Sequence, residues 1–82
     1  MTLTQAERDA INWLWRRGGD GVVQRVKSED SEAGGMWTAV LAAGEFAPFQ
    51  WRTWYALIQS GHLEEYRKGG GRRVRLSKRA RP

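Results

Sequence analysis

The side chains of this 82-residue chain with the most to offer chemically are its arginines and lysines, and they are unevenly placed. Residues 1–66 hold six Lys or Arg against all nine acids, a net charge of −3, whereas residues 67–82 hold eight Lys or Arg and no acid. Like charges packed this densely repel one another, so a polyanion that neutralises them relieves a real cost. Arg73 and Arg75 alternate with Val74 and Leu76, so a strand here turns both apolar residues to one face and both arginines to the other. Arg72 joins them, with Arg67 and Lys68 across three consecutive glycines, and Lys78 and Arg79 follow. Contact with phosphates is expected here, on the basic strand and its tip. The plainer alternative is a solvated basic tail.

Other chemistries lack the residues to carry them. Without cysteine there is no disulfide scaffold, thiolate zinc site or cysteine nucleophile. A single histidine, His62, excludes histidine-rich metal sites. Glu64 and Glu65 are adjacent on an expected strand, point to opposite faces and cannot act as a carboxylate pair. Glu29, Asp30 and Glu32 lack the alternate-oxygen spacing of a calcium loop. Ser28, Ser31, Ser60 and Ser77 have no evident base. The run Gly69–Gly71 lacks the strand-then-helix setting and the Lys-Ser/Thr ending of a P-loop, and reads as a flexible hairpin turn. The expectation is a protein that is not an enzyme and uses no cofactor or metal.

Length allows one domain, expected over residues 1–77 with a disordered basic tail over 78–82. The longest mostly apolar run, residues 36–43, is too short to span a bilayer, and MTLTQAERDA carries no signal pattern. A soluble, cytoplasmic domain is expected, with no membrane partner. The formal net charge of +5 and a pI near 10.5 favour a polyanionic partner.

Five elements must position these residues. Thr4 and Glu7 fit a capping box that opens a first helix, whose apolar stripe includes Leu3, Ala6, Ala10, Trp13 and Leu14. Arg16 and Arg17 fall in its last turn and Gly18-Gly19 ends it. After an Asp20-Gly21 turn, Val22, Val23 and Val26 could form a short third strand. Residues 28–35 form an acidic connector. A second helix is expected over 35–43, from the i,i+4 pairs Met36/Val40 and Trp37/Leu41, and Gly44 breaks it. Pro48 suits the first position of a third helix, 48–60, whose core face is Trp54, Leu57 and Ile58. HLEEYRK, the glycines and RRVRLSK then form a β-hairpin.

Leu57, Gly61 and Leu63 give a Leu-x-x-x-Gly-x-Leu pattern before a hairpin with a glycine tip, and in this respect the chain resembles the winged helix-turn-helix DNA-binding family. The resemblance implies an α+β fold: a three-helix winged helix with a small antiparallel β-hairpin wing. It also implies that helix 48–60 lies in the major groove of double-stranded DNA, with Gln50, Arg52 and Thr53 meeting base edges. The wing and tail (Arg67, Lys68, Arg72, Arg73, Arg75, Lys78, Arg79) would hold phosphates. The implied function is a small DNA-binding regulator, a monomer or weak homodimer. A different class of function rests on aromatics crowded onto the same helix: Trp51, Tyr55 or, from the first helix, Trp15 could dock a protein partner. RNA binding through the arginine-rich tail is a third reading.

Overall fold

The computed structural model describes residues 2–27 and 36–80. The acidic connector and the last two residues, Arg81 among them, lie outside the described residues. The elements run α1 (Gln5–Trp15), β1 (Asp20–Lys27), β2 (Met36–Ala42), β3 (Glu45–Phe46), α2 (Trp51–Gln59), β4 (Leu63–Lys68) and β5 (Gly71–Leu76). All five strands form one antiparallel sheet in the order β3-β2-β1-β5-β4. The expected three-helix winged helix with a small hairpin wing is therefore overturned. The class is α+β, but two helices lie against a five-stranded antiparallel sheet among the described residues.

The difference comes from residues 36–42, expected as a helix and found as β2. The pairs Met36/Val40 and Trp37/Leu41 suit a helix, but they also suit a strand with apolar residues on both faces. Seven residues make a normal strand and a short helix, and Thr38 and Val40 are stiff, β-branched residues. Pairing with β1 from Val22↔Leu41 to Lys27↔Met36 decides the matter. The helix expected over 48–60 is shorter, with Gln50 as its N-cap and Pro48 outside it.

Other local signals hold. Thr4 Oγ1 accepts from the Glu7 N–H and Glu7 Oε1 accepts from the Thr4 N–H, both at 3.1 Å, closing the capping box. The helix ends at Trp15, with Arg16 as its C-cap, so the two arginines lie just past the last turn expected to hold them. The β4–β5 hairpin closes on Gly69 and Gly70, whose φ values of 60° and 83° fit a turn that only glycine adopts freely.

Trp54, Leu14, Leu57, Leu76, Val40 and Val74 are the largest fully buried side chains. Trp54 meets Trp13 and Phe49 edge-on, at centroid distances of 6.4 and 5.8 Å. Strand alternation puts Val40 in this core and turns Leu41 to the other face of the sheet, where a helix would have pointed Leu41 inward. Gly21 on β1 is where α1 comes down on the sheet. A Cβ there would stand 2.6 Å from Val40 Cγ1 and 3.4 Å from Leu14 Cδ1.

Candidate nucleic-acid interface

Strand β5 buries Val74 and Leu76 and turns Arg73 and Arg75 outward, as the alternation requires. The three arginines of this strand are nevertheless not free. Arg75 Nε lies 3.0 Å from Glu64 Oε2, its direct cross-strand neighbour, and its guanidinium sits 4.7 Å from the centre of the Tyr66 ring. Arg72 Nε lies 2.7 Å from Glu65 Oε1 and its guanidinium sits 5.3 Å from the Trp51 ring. Arg73 holds Asp20 Oδ1 through Nη2 at 2.6 Å and Nε at 3.0 Å, and donates from Nε to the Tyr66 hydroxyl. That hydroxyl in turn donates to Asp20 Oδ2. Glu64 and Glu65 do point to opposite faces, and each meets an arginine on its own side.

The electrostatics follow these pairs. The hydrogen bond from Arg72 holds the Glu65 carboxyl below the usual carboxylate range, and the same bond raises Arg72. Asp20 first, and the Tyr66 hydroxyl second, raise Arg73. Exposure sets how readily each arginine can change partners. The Arg75–Glu64 pair is half in solvent, at 50% and 53%, where an ion pair contributes only ~0–1 kcal/mol and a phosphate can compete. Arg73, fixed by two bonds to one carboxylate and a third to a hydroxyl, is the least available.

Five cations without a carboxylate partner among the described residues, Arg25, Lys27, Arg52, Arg67 and Lys68, come from separate elements towards one end of the sheet. Arg67 and Lys68 flank the hairpin turn. The Trp51–Arg72 contact brings the start of α2 to this same end, and there Arg52 is exposed, as is Gln50, while Thr53 is half-buried. Gln50 makes no side-chain cap and α2 has no acid in its first turn, so no side chain of that turn accepts from its leading N–H groups, of which Thr53 N–H donates to the Gln50 carbonyl at 3.0 Å. Because Val22 pairs with Arg73, the remainder of β1 runs on towards the turn and carries Arg25 and Lys27 there. By alternation these two share the helix-bearing face with Gly21 and Val23, as Arg67 does with Leu63.

Lys78 and Arg79 lie at the opposite end, in the turn after β5, where Arg79 Nη1 donates to the Ser60 carbonyl at 2.9 Å. The expected surface thus splits in three, with Gln50, Arg52, Thr53, Arg67, Lys68 and Arg72 at the tip, Arg73 and Arg75 on the sheet face away from the helices, and Lys78 and Arg79 at the base. Ser60 Oγ lies 2.7 Å from His62 Nδ1. The same hydroxyl donates to the Leu57 carbonyl at 3.1 Å, the arrangement of a helix end.

Sequence reasoning missed Asp20, read there only as a turn residue, and Arg25. Both reach the site through the β1–β5 pairing, which joins positions far apart in the chain and leaves no local signal. No family model matches the chain, and no curated protein or solved structure is significantly similar to it.

Proposed function

We propose that this protein binds nucleic acid, duplex DNA being the first ligand to test, through the end of the sheet where the β4–β5 turn meets the start of α2. The observation that supports this is convergence. Cations from α2 (Arg52), β4 (Arg67, Lys68) and β1 (Arg25, Lys27) reach one end, beside a helix start that has no side-chain cap and no acid in its first turn. Arg67 and Lys68 would neutralise phosphates. Arg52 and Thr53 would lie against the groove or its rim. Arg72 serves as a bracket, joining the hairpin to α2 through Trp51 while its charge is matched by Glu65.

The test is a binding isotherm on mixed-sequence duplex at several salt concentrations. The Arg67→Ala/Lys68→Ala double variant should flatten the slope of log affinity against log salt by about two units. Arg52→Ala should weaken binding as well, and more on a preferred site than on random DNA if it meets base edges. Lys78→Ala/Arg79→Ala, at the far end, should leave the slope nearly unchanged. The opposite ranking would move the interface to the base of the hairpin, and no change in either would end the proposal.

One observation favours a protein-docking reading instead: Tyr55 is 53% exposed on the outer side of α2, with Trp15 also exposed at the end of α1. Trp51, the other aromatic expected to dock a partner, is half-buried beneath Arg72.

A further inference from the structure

Among the described residues, the helices lie on one face of the sheet and no helix or strand packs on the other. By register its middle row is Phe46, Leu41, Val22, Arg73 and Tyr66, one residue from each strand. A second row pairs Val26 with Trp37, and Ala39 lies between Trp37 and Leu41 along β2. The β3-β2-β1 half is therefore apolar apart from Gln24, which pairs with Ala39, and Phe46 and Trp37 remain 48% and 42% exposed on it. An antiparallel sheet with water on one side normally alternates apolar and polar residues. Strand β2, MWTAVLA, does not: Val40 and Ala42 face the core, while the exposed Trp37, the half-buried Leu41 and, between them, the fully buried Ala39 take the other face. That is the composition of a strand covered on both sides.

We propose that a second copy of this chain covers this face, in a twofold dimer whose two sheets pack β3-β2-β1 half against β3-β2-β1 half. Four features select this occupant. The sheet edges are guarded against strand addition: β3 is two residues long with Pro48 close behind it, and β4 carries Glu64, Glu65, Arg67 and Lys68. The charges Asp20, Glu64, Arg73 and Arg75 on this face are matched within the chain, and Lys68, on the same face by alternation, lies at the hairpin turn away from the β3-β2-β1 half, so two copies meet there without net repulsion. The same pairing leaves a polyanion little to hold there, and Arg75 already covers the ring of Tyr66, the aromatic nearest the basic strand. Finally, the molecule measures 40 × 31 × 21 Å, so half of its broad face offers roughly 600 Å² per partner, the lower end of specific interfaces. A twofold contact is self-complementary, so one apolar patch suffices for both copies. The proposal does not depend on nucleic-acid binding, since Arg25, Arg52 and Arg67 lie on the helix side.

Sedimentation equilibrium of the full chain from about 1 μM to about 1 mM tests it. The expected result is a reversible monomer–dimer equilibrium. Phe46→Glu and Trp37→Glu should each raise the dissociation constant roughly tenfold or more, because a charge buried without a partner opposes association. Tyr55→Glu, on the helix side, should leave it unchanged. Dilution of the isotopically labelled wild type should shift amide resonances of β1, β2 and β3, a readout that needs no variant to fold. A monomer at every concentration overturns the proposal, as does an equal effect of Tyr55→Glu. So would single-stranded oligothymidylate binding that Phe46→Glu and Trp37→Glu abolish in a monomeric protein, which would assign the face to stacked bases.

Discussion

Arg72 and Glu65 show how one contact can set both the strength of a site and the acid sensitivity of the fold. The bond between them lowers Glu65 and raises Arg72. A carboxylate whose pKa is depressed on folding stabilises the native state above its unfolded value, about 4. That stability disappears as pH falls from there through the lower, folded value. Glu7 behaves alike, held down chiefly by the backbone N–H of Thr4 in the capping box. Glu65→Gln should therefore shrink the fall in thermal midpoint between pH 7 and pH 3, as a pH series on both proteins would show. It should also free the charge of Arg72 at the basic end, raising duplex affinity and steepening the salt slope by up to ~0.9. Weaker binding would mean that Arg72 needs Glu65 to be held in place. The sequence makes the outward turn of Arg73 and Arg75 legible, because alternation with Val74 and Leu76 is local. It hides their pairing, because Asp20 is brought to Arg73 only by the β1–β5 register.

Elements whose signals lie within a few residues are legible in the same way. The Thr4–Glu7 box marks α1, and the glycine turn flanked by HLEEYRK and RRVRLSK marks the hairpin. Strand β2 is not, because its apolar residues on both faces erase the period-2 pattern that identifies a half-buried strand. Once β2 is a strand, it replaces the helix that a helix-turn-helix requires ahead of α2, and the site can no longer be read from that motif. Among the described glycines, Gly21 has the least room for a side chain, since an added carbon meets Val40 and Leu14. Gly21→Ala should cost ~1–3 kcal/mol through overpacking, measured by urea denaturation. In a Val40→Ala background the same change should cost less, since the obstructing methyl is gone. Equal costs in both backgrounds would show that α1 simply shifts away.

Across the whole molecule, core membership was legible for Trp54, Leu57, Leu14 and Val74, all fully buried, because each sits on an apolar face at its element's own period. A chain of 82 residues has about 4–12 kcal/mol of total stability. Leu57→Ala should remove ~2–5 kcal/mol of it. Circular dichroism and tryptophan fluorescence should report the loss as one shared transition, shifted to lower urea. An unmoved midpoint would contradict the place of Leu57 between α2 and the sheet. The position of β1 at the centre of the sheet has a consequence in time. Its pairing with β2 closes a nearby hairpin, but its other neighbour, β5, is the last strand in the chain. The Asp20↔Arg75 register closes a loop spanning most of the sequence, and such long-range closure slows folding. As the chain emerges from its N-terminus, α1 and the β1–β2 hairpin can form early, yet the surface on which α1 rests is finished only when Val74 and Leu76 arrive. Until then the apolar side of α1 and one edge of β1 stay exposed, and a chain interrupted before residue 71 would have no completed core to fold around.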